Sequence, residues 1–310
     1  MNPRDVDGAA KAAGEKHTMT ATAPRPMDGT TVLITGANSG IGLWTARGLA
    51  ALGAQIVMVC RDPARGKSAL DDLASIAAVK PTLLVADLSV QDSIRSMAAE
   101  VHSRYDHLDV LVNNAGGVFS RPELTVDGIE QTFAVNHLAP FLLTSLLLDL
   151  LAKASQGRVV TVTSEAHAGK LDFQNLQSER SYQFLRAYAA SKTENILFTY
   201  ELARRLHGTR VTANAVSPGP SRTGFGDNLT GLAGAFPKIM KKMPFFRSAE
   251  KGARVVVFAA ADASLASTTG QFFMNAKPRT SKPITHDRDV AARLWTVSEQ
   301  LTSSPARTVG

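Results

Sequence analysis

Cysteine is nearly absent from this sequence. Its 310 residues contain one cysteine, Cys60, so no disulfide can form within the chain, and we expect a reduced, cytoplasmic setting. The net charge is +7, but the basic residues are scattered and no basic stripe interleaved with aromatic residues occurs. The composition therefore argues against nucleic-acid binding and favours a surface that attracts anionic cofactors or substrates.

Long apolar runs are missing as well. Residues 1–26 lack the apolar centre of a secretory signal, and we expect residues 1–27 to form a flexible tail. The most apolar stretch, Leu138–Leu151, is interrupted by a proline, two hydroxyl residues and an aspartate. It is too short and too polar to span a bilayer, so it predicts a buried helix and no transmembrane segment.

From Thr30 onward, short β-branched runs alternate with segments of helical length. Continuous apolar runs are typical of parallel strands that are covered on both faces. The alternation predicts an α/β fold with a Rossmann-type, doubly wound parallel sheet of about seven strands. No repeat or linker divides the chain, so residues 28–310 are predicted to form a single domain. The predicted strands are Thr31–Thr35, Gln55–Cys60, Thr82–Ala86, Val110–Asn113, Arg158–Ser164, Arg210–Val216 and Gln271–Met274.

The first predicted strand runs into the turn Thr35-Gly-Ala-Asn-Ser-Gly-Ile-Gly42, which a predicted helix follows. Gly36 permits a tight turn, Gly40 lets the backbone approach a pyrophosphate, and Gly42 allows close helix–strand packing. The N–H groups and dipole of the helix would attract phosphates, so we predict a dinucleotide site. The alternative is a glycine-rich turn without a ligand. The predicted contacts are Gly36, Asn38, Ser39, Gly40, Ile41 and Gly42.

The end of the second predicted strand bears on the choice of cofactor. An NAD-binding protein normally has an acidic residue there for the ribose 2′-hydroxyl, whereas this chain has Cys60 followed by Arg61. A guanidinium can bind a 2′-phosphate bidentately, so we predict NADP(H) over NAD(H), with Arg61 as a contact. Asp62, one residue later, argues the other way, and a solvated loop charge is the alternative role for Arg61.

The segment Tyr188-Ala-Ala-Ser-Lys192 predicts an acid–base pair, because residues four apart share a helix face. A free phenol has a pKa of about 10, and a neighbouring ammonium and an oxidised nicotinamide would favour the phenolate. Tyr188 would exchange the proton of an alcohol or carbonyl, while Ser164, at the end of the fifth strand, polarises the reacting oxygen. Such a pair is more often an amphipathic surface feature; Tyr182, with Arg186 four residues later, shows the incomplete pattern.

These motifs together resemble the short-chain dehydrogenase/reductase family, in its single-domain branch. Asp87-Leu88 after the third strand and Asn113-Asn-Ala-Gly116 after the fourth also match it. The resemblance implies that Asp87 reaches the adenine and that the Asn113–Gly116 turn lies beside the adenine ribose. By its residues alone the second segment is a turn at the carboxyl end of a central strand. The implied cofactor contacts are Asp87, Leu88, Asn114, Ala115 and Gly116.

The resemblance also implies roles nearer the nicotinamide. Lys192 would hold the nicotinamide ribose, and Asn136 would support a water that links Lys192 to solvent. The turn Val216-Ser-Pro-Gly219 leads to Thr223, which would contact the carboxamide, whereas Arg222 is either a loop charge or an anion contact. Members of the family commonly form homodimers or homotetramers. The implied cofactor contacts here are Tyr188, Lys192, Pro218, Gly219 and Thr223.

Local features narrow the resemblance to the group of retinol dehydrogenases and WW-domain oxidoreductases: Cys60-Arg61-Asp62, Ser164-Glu-Ala-His167 and Asp287–Trp295. Neither membrane residence nor retinol as substrate carries over. The long interval between Ser164 and Tyr188 predicts an extra segment near the site. Residues 276–310 form a C-terminal extension.

Residues 221–247 combine apolar side chains with several glycines, which predicts a mobile lid over an apolar pocket. An ordinary amphipathic helix, or a basic face toward an anionic membrane or partner, are the alternatives. His167 is expected to pack or hydrogen-bond near the site, since no other ligand-spaced residue suggests a metal.

The leading hypothesis is an NADP(H)-dependent enzyme that transfers a hydride between nicotinamide and a lipophilic carbonyl or alcohol. A cofactor-binding regulator is one alternative, although it would not need Ser164, Tyr188 and Lys192. A non-redox cyclase or dehydratase on the same scaffold is another, and it would convert substrate without net cofactor change.

Overall fold

The computed structural model describes residues 24–222 and 247–303. It has an eight-stranded central sheet in the order β10-β9-β6-β5-β4-β1-β2-β3, in which all neighbours are parallel except β9 and β10. The predicted doubly wound α/β fold is confirmed. The strands are β1 Thr31–Thr35, β2 Gln55–Cys60, β3 Thr82–Val85, β4 Val110–Asn113, β5 Arg158–Val162, β6 Thr212–Ser217, β7 Ser221–Arg222, β8 Arg247–Ser248, β9 Phe272–Met274 and β10 Lys277–Pro278.

The eighth strand, β10, is the element of the sheet that the sequence did not predict. It follows β9 through Asn275 and Ala276, whose φ angles of +55° and +56° form the tight turn of an antiparallel hairpin. Two residues, one of them a proline, carry no β-branched run from which a strand could be predicted.

Helices cover both faces of the sheet. The apolar sides of α1, α2 and α7 pack on one face, and those of α3, α5 and α6 on the other. In β1, Val32 and Ile34 point to the first layer and Leu33 to the second, as the alternation of side chains along a strand requires. The helices are α1 Gly40–Ala51, α2 Pro63–Ala74, α3 Gln91–Arg104, α4 Gln131–Phe133, α5 Ala139–Lys153, α6 Phe184–Arg205, α7 Ala249–Ala261 and α8 Arg288–Ser303.

The apolar stretch that the sequence assigns to a buried helix belongs to the longer helical segment Gln131–Lys153. Among the described residues this segment is long and apolar enough to cross a membrane by length and composition, with a mean hydropathy of 1.5. However, 72% of its most apolar part is buried inside the protein, as in the core helix of a globular fold.

The extra segment predicted between Ser164 and Tyr188 packs with the C-terminal extension. Phe173 of this segment joins a cluster with Ala291 and Leu294 of α8, and the Arg293 guanidinium lies 4.2 Å from the Phe173 ring centroid. α8 also packs on α6, where Trp295 stacks on Phe198 at 6.0 Å between ring centroids. Both additions therefore lie against the helix that carries Tyr188.

Candidate active site

The predicted site residues follow the carboxyl ends of neighbouring parallel strands. The glycine-rich turn follows β1, the Asn113–Gly116 turn ends β4, Ser164 follows β5, and Pro218 follows β6. Because β1, β4, β5 and β6 are consecutive in the sheet, these segments lie side by side at one edge. Ligands of doubly wound sheets bind at this edge.

In the glycine-rich turn, the three glycines meet two steric demands. Gly36 and Gly40 have φ angles of +66° and +55°, which a residue with a Cβ rarely adopts. A Cβ placed on Gly42 would lie 2.2 Å from the carbonyl oxygen of Gly36. The glycine-rich turn therefore packs closely against the first turn of the helix α1.

Thr35 and Asn114 hold the turns after β1 and β4 together. The Thr35 hydroxyl accepts the backbone N–H groups of Asn114 and Ala115, both at 3.0 Å. The side-chain amide of Asn114 donates to the Thr35 carbonyl oxygen at 2.8 Å. Sequence reasoning assigned Asn114 to the cofactor and did not detect this brace, in which its side chain is used within the protein.

The N terminus of α1 is suited to a phosphate group. Its N-cap residue, Ser39, is extended and makes no side-chain hydrogen bond to the helix, so backbone N–H groups of the first turn stay available as donors. Ile41 is half-buried behind this turn and packs at the edge of the core. The donor set of this turn fits a pyrophosphate.

At the end of β2, the Cys60 side chain lies against the backbone N–H groups of Ala37 and Asn38. Burial raises the pKa of the thiol to about 11, so it is neutral at physiological pH. The turn therefore has an uncharged neighbour where an NAD-binding site normally has a carboxylate.

The next two residues, Arg61 and Asp62, are both exposed, but their side chains have different roles. The Asp62 carboxylate caps α2 and accepts the N–H groups of Ala64 and Arg65 at 2.9 and 3.0 Å. N-capping accounts for an aspartate at this position without a ligand.

Asp87 and Leu88 follow β3 and lie at its carboxyl end. The Asp87 carboxylate accepts the backbone N–H and the hydroxyl of Ser89 at 2.9 and 2.7 Å, which fixes the turn. Leu88 packs against the core layer beneath α3 and α5.

Tyr188, Ser164 and Lys192 come together as predicted from the sequence. The Tyr188 hydroxyl is hydrogen-bonded to the Ser164 side chain. The Lys192 ammonium lies 5.5 Å from the centre of the Tyr188 ring and donates to the Val162 carbonyl oxygen at 3.2 Å. One strand end and one helix face thus supply the three groups.

Burial dominates the protonation of this pair. It raises the pKa of Tyr188 to about 12, against the opposite effect of the Ser164 hydrogen bond, and it lowers the pKa of Lys192 to about 8. The sequence predicts that the neighbouring ammonium lowers the pKa of Tyr188. In the protein without cofactor, burial has the larger effect and raises this pKa. Tyr188 is therefore a phenol at neutral pH.

Asn136 lies in a π-helical turn, Ala134–Leu138, between α4 and α5. Its amide donates to the Gly117 carbonyl oxygen at 2.9 Å and to the Ser191 hydroxyl at 3.0 Å, and its oxygen accepts the Gly117 N–H at 2.8 Å. A Cβ placed on Gly116 would lie 3.1 Å from the Asn136 oxygen and 3.4 Å from the Lys192 nitrogen. Asn136 and Lys192 therefore flank the same glycine, and π-turns are frequent at functional sites.

The turn after β6 is described as far as Arg222. Gly219 has a φ of +73°, and β7 pairs with β8, which brings the two ends of the predicted lid together. Thr223, the rest of the lid up to residue 246, and residues 1–23 and 304–310 lie outside the described residues. Within the described part of the chain, no group of three His, Cys, Asp or Glu side chains is placed to hold a metal ion.

Comparison with known proteins agrees with this geometry. The short chain dehydrogenase family model matches residues 30–231. Human retinol dehydrogenase 14 is 39% identical over 298 residues, covering 89% of this chain and 87% of that protein. Human retinol dehydrogenase 13 is 39% identical over 290 residues, covering 91% and 87%.

Solved structures give the same result. An uncharacterised protein from Mycobacterium paratuberculosis has a TM-score of 0.71 and 34% identity, covering 90% of this chain and 96% of that one. A Beutenbergia cavernae protein, named as an NAD(P)-dependent gluconate 5-dehydrogenase and solved with NADP at low occupancy, has a TM-score of 0.66 and 28% identity, covering 81% and 97%. The chain therefore belongs to the short-chain dehydrogenase family, in its retinol-dehydrogenase-like group, and is an NAD(P)-dependent oxidoreductase acting on alcohol and carbonyl groups.

Proposed function

We propose that this chain uses NADP(H) to reduce or oxidise a lipophilic carbonyl or alcohol, with Tyr188 as the acid–base group. The observation that carries the proposal is the hydrogen bond between the Tyr188 and Ser164 side chains, beside the buried Lys192 ammonium. A phenol and a second hydroxyl that meet at one point can both bind the oxygen of a carbonyl group.

When bound, the nicotinamide supplies or accepts the hydride. The phenol of Tyr188, protonated at neutral pH because burial raises its pKa to about 12, gives its proton to the carbonyl oxygen during reduction. The Ser164 hydroxyl donates a hydrogen bond to the same oxygen and stabilises its developing charge. The Lys192 ammonium, held at the Val162 carbonyl oxygen, would replenish the proton and would hold the nicotinamide ribose.

The NADP(H) preference rests on the end of β2. Asp62 is engaged as the cap of α2, the Cys60 thiol is neutral, and the Arg61 side chain is exposed beside the glycine-rich turn. A guanidinium in this position favours a 2′-phosphate, and the neighbouring Asp62 carboxylate is already used to cap α2. The NADP of the Beutenbergia cavernae structure supports the same choice.

Replacing Arg61 by alanine should raise the KM for NADPH about 30-fold and leave the KM for NADH within about twofold, because a charge-assisted hydrogen bond contributes about 1.5–3 kcal/mol. Steady-state kinetics with both cofactors measures the effect. Lys67→Ala is the matched control, since it removes one exposed positive charge that pairs with Asp71 on α2. If Arg61→Ala raises the KM for NADPH and for NADH equally, or if the wild-type protein prefers NADH, the assignment of NADP(H) is contradicted.

The lipophilic substrate is supported by Leu185, one turn before Tyr188. Leu185, Tyr188 and Lys192 follow one stripe of α6, and the Leu185 side chain is 50% exposed although Lys192 is buried. A large apolar side chain at the open end of this stripe would cover an apolar substrate. The relatives named as retinol dehydrogenases make retinal a useful probe beside simple aldehydes.

Leu185→Asp should raise the KM for nonanal about tenfold and leave that for propanal nearly unchanged, because only the long chain reaches the lost apolar contact. NADPH consumption measured by absorbance provides the rates. Ile76→Asp is the control: Ile76 is 48% exposed, but it follows the end of α2, at the opposite edge of the sheet. If Leu185→Asp changes the KM for nonanal and for propanal by the same factor, Leu185 does not form an apolar substrate surface.

The function itself is tested with the wild-type protein on retinal and an aldehyde series. Stoichiometric consumption of NADPH and carbonyl is expected; substrate conversion without cofactor change would instead favour the cyclase or dehydratase. Homodimer or homotetramer formation stays a prediction, which light scattering can measure.

A further inference from the structure

His167 connects Ser164 to the C-terminal part of the chain. This side chain is 5% exposed and lies three residues after Ser164. Its Nδ1 is 2.9 Å from the Ser164 carbonyl oxygen, and its Nε2 is 3.0 Å from the backbone nitrogen of Lys282. Because a carbonyl only accepts and an N–H only donates, both contacts form together when the neutral imidazole carries its proton on Nδ1.

The segment that contributes Lys282, residues 279–286, is itself fixed to the fold, and we name it the latch segment. The Arg279 N–H donates to the Phe272 carbonyl oxygen at 2.8 Å, which ties the segment to β9. The buried Ser281 hydroxyl lies 2.9 Å from the Tyr200 hydroxyl on α6 and 2.6 Å from that of Thr285. The latch segment can therefore act as a rigid support for His167.

The loop around Ser164 is already held on both sides. The Thr163 hydroxyl donates to the Lys192 carbonyl oxygen at 2.8 Å, and the Ala168 N–H donates to the Ala189 carbonyl oxygen at 3.0 Å. Between these anchors, the peptide that follows Ser164 is held at both of its polar atoms: its carbonyl oxygen accepts from His167, and its N–H, from Glu165, donates to the Ser217 hydroxyl oxygen at 3.0 Å. The side-chain oxygen of Ser164 must stay within hydrogen-bonding distance of the Tyr188 hydroxyl. A small rotation of this peptide would move it away.

We infer that His167 is a positioning residue, which orients Ser164 through its two ring nitrogens and makes catalysis depend on the latch segment. The inference rests on the proposed role of Ser164. A displacement of about 1 Å in a catalytic group can lower turnover by one to two orders of magnitude. His167 therefore matters for the rate although it does not face the reacting atoms.

The surroundings of His167 keep its imidazole neutral. Burial, followed by the charge of Lys282, lowers its pKa, against the opposite effect of the bond to Ser164. Of the latch segment's charged and titratable side chains, Lys282 contacts His167, and its ammonium donates to the His167 carbonyl oxygen. Arg279 is exposed, and the His286 Nε2 lies 3.2 Å from the Ser281 hydroxyl. β9 presents the ring of Phe272, with 5.7 Å between ring centroids, and α6 presents the backbone of Ala189. Protonation below the ordinary pKa of 6.5 would remove the acceptor that holds the Lys282 N–H.

One substitution can break this contact between His167 and the latch segment from the side of Lys282. Lys282 has a φ of −61°, which lies within the range of proline, so Lys282→Pro removes the N–H without forcing the φ angle. The proline Cδ takes the place of the amide hydrogen that points at the His167 Nε2, so the imidazole must also move away. Lys282→Ala keeps the N–H and removes the same side chain, so it is the matched baseline. We expect kcat for nonanal reduction to fall about tenfold in Lys282→Pro relative to Lys282→Ala, with the Kd for NADPH within about twofold of it.

His167→Ala should lower kcat to a similar extent and abolish the acid limb of the kcat–pH profile below pH 6.5. In the double variant with Lys282→Pro the losses should not add, since His167→Ala removes both the acceptor of this hydrogen bond and the ring that the proline displaces. Melting temperatures identify any variant that fails to fold; in that case the His167 ring ¹⁵N shifts of the wild-type protein decide, and a proton on Nε2 contradicts the inference.

Equal kcat values for Lys282→Pro and Lys282→Ala, or a wild-type rate in His167→Ala, would overturn the inference. Failures of the proposed function have a different signature. Wild-type protein that turns over no probe contradicts the function, and Ser164→Ala at the wild-type rate contradicts the role of Ser164.

Discussion

Tyr188→Phe is expected to lower kcat for carbonyl reduction by about 10²- to 10⁴-fold, the range over which a positioned acid–base group accelerates proton transfer. The substitution keeps the half-buried ring and removes only the hydroxyl that is hydrogen-bonded to Ser164. The ring also keeps its position near Lys192, so the fold and the Kd for NADPH should change little. Single-turnover and steady-state measurements of NADPH consumption give the rate.

Tyr182→Phe is the matched control for this loss. The Tyr182 hydroxyl donates to the Phe119 carbonyl oxygen at 2.6 Å and lies 3.3 Å from the Thr132 hydroxyl, so the same atom is removed from a structural contact. We expect some loss of stability and a kcat near that of the wild type. Full turnover by a folded Tyr188→Phe protein that binds NADPH would refute the acid–base role.

Gly42→Ala is expected to have the largest effect on stability and cofactor binding. The added Cβ would lie 2.2 Å from the Gly36 carbonyl oxygen and 2.5 Å from the Asn114 side-chain nitrogen. The backbone of Gly36 must move to relieve the first contact. The Asn114 side chain, which links the turns after β1 and β4, must move to relieve the second. We expect the free energy of unfolding to fall by about 3 kcal/mol and the Kd for NADPH to rise more than about tenfold.

Urea unfolding and fluorescence titration with NADPH measure these two effects. Gly169→Ala is the control, because a Cβ there would lie 3.9 Å from the Lys282 side chain, an ordinary contact. Alanine is favoured over glycine within a helix by about 1 kcal/mol, so without the clash Gly42→Ala would stabilise α1. A gain in stability would show that the close approach of α1 to Gly36 does not constrain this position.

Much of the fold follows from local sequence patterns. The seven predicted strands match β1–β6 and β9 to within a few residues, because most of them are apolar runs that the layers of helices bury. β10 was missed because it depends on the positive φ angles of Asn275 and Ala276 and on pairing with β9, and two residues carry no periodicity.

The candidate site was predictable to a similar degree. Two features of the sequence predict that the three side chains lie close together. Tyr188 and Lys192 are spaced to share one helix face, and Ser164 follows β5. Their protonation was not predictable in the same way, because the pKa of Tyr188 depends on how deeply the assembled fold buries it. The brace of Thr35 and Asn114 was missed because it joins residues 79 positions apart.

By itself, the sequence determined the order of strands and helices, the glycine-rich turn and the residues of the proposed acid–base pair, because these are local patterns of shape and polarity. Only the tertiary structure decided which side chains are already engaged within the protein. Asp62 caps a helix, Asn114 braces two turns, and His167 joins Ser164 to the latch segment. These roles depend on long-range packing, which brings donors and acceptors within hydrogen-bonding distance after the chain has folded and leaves no periodic signal along it.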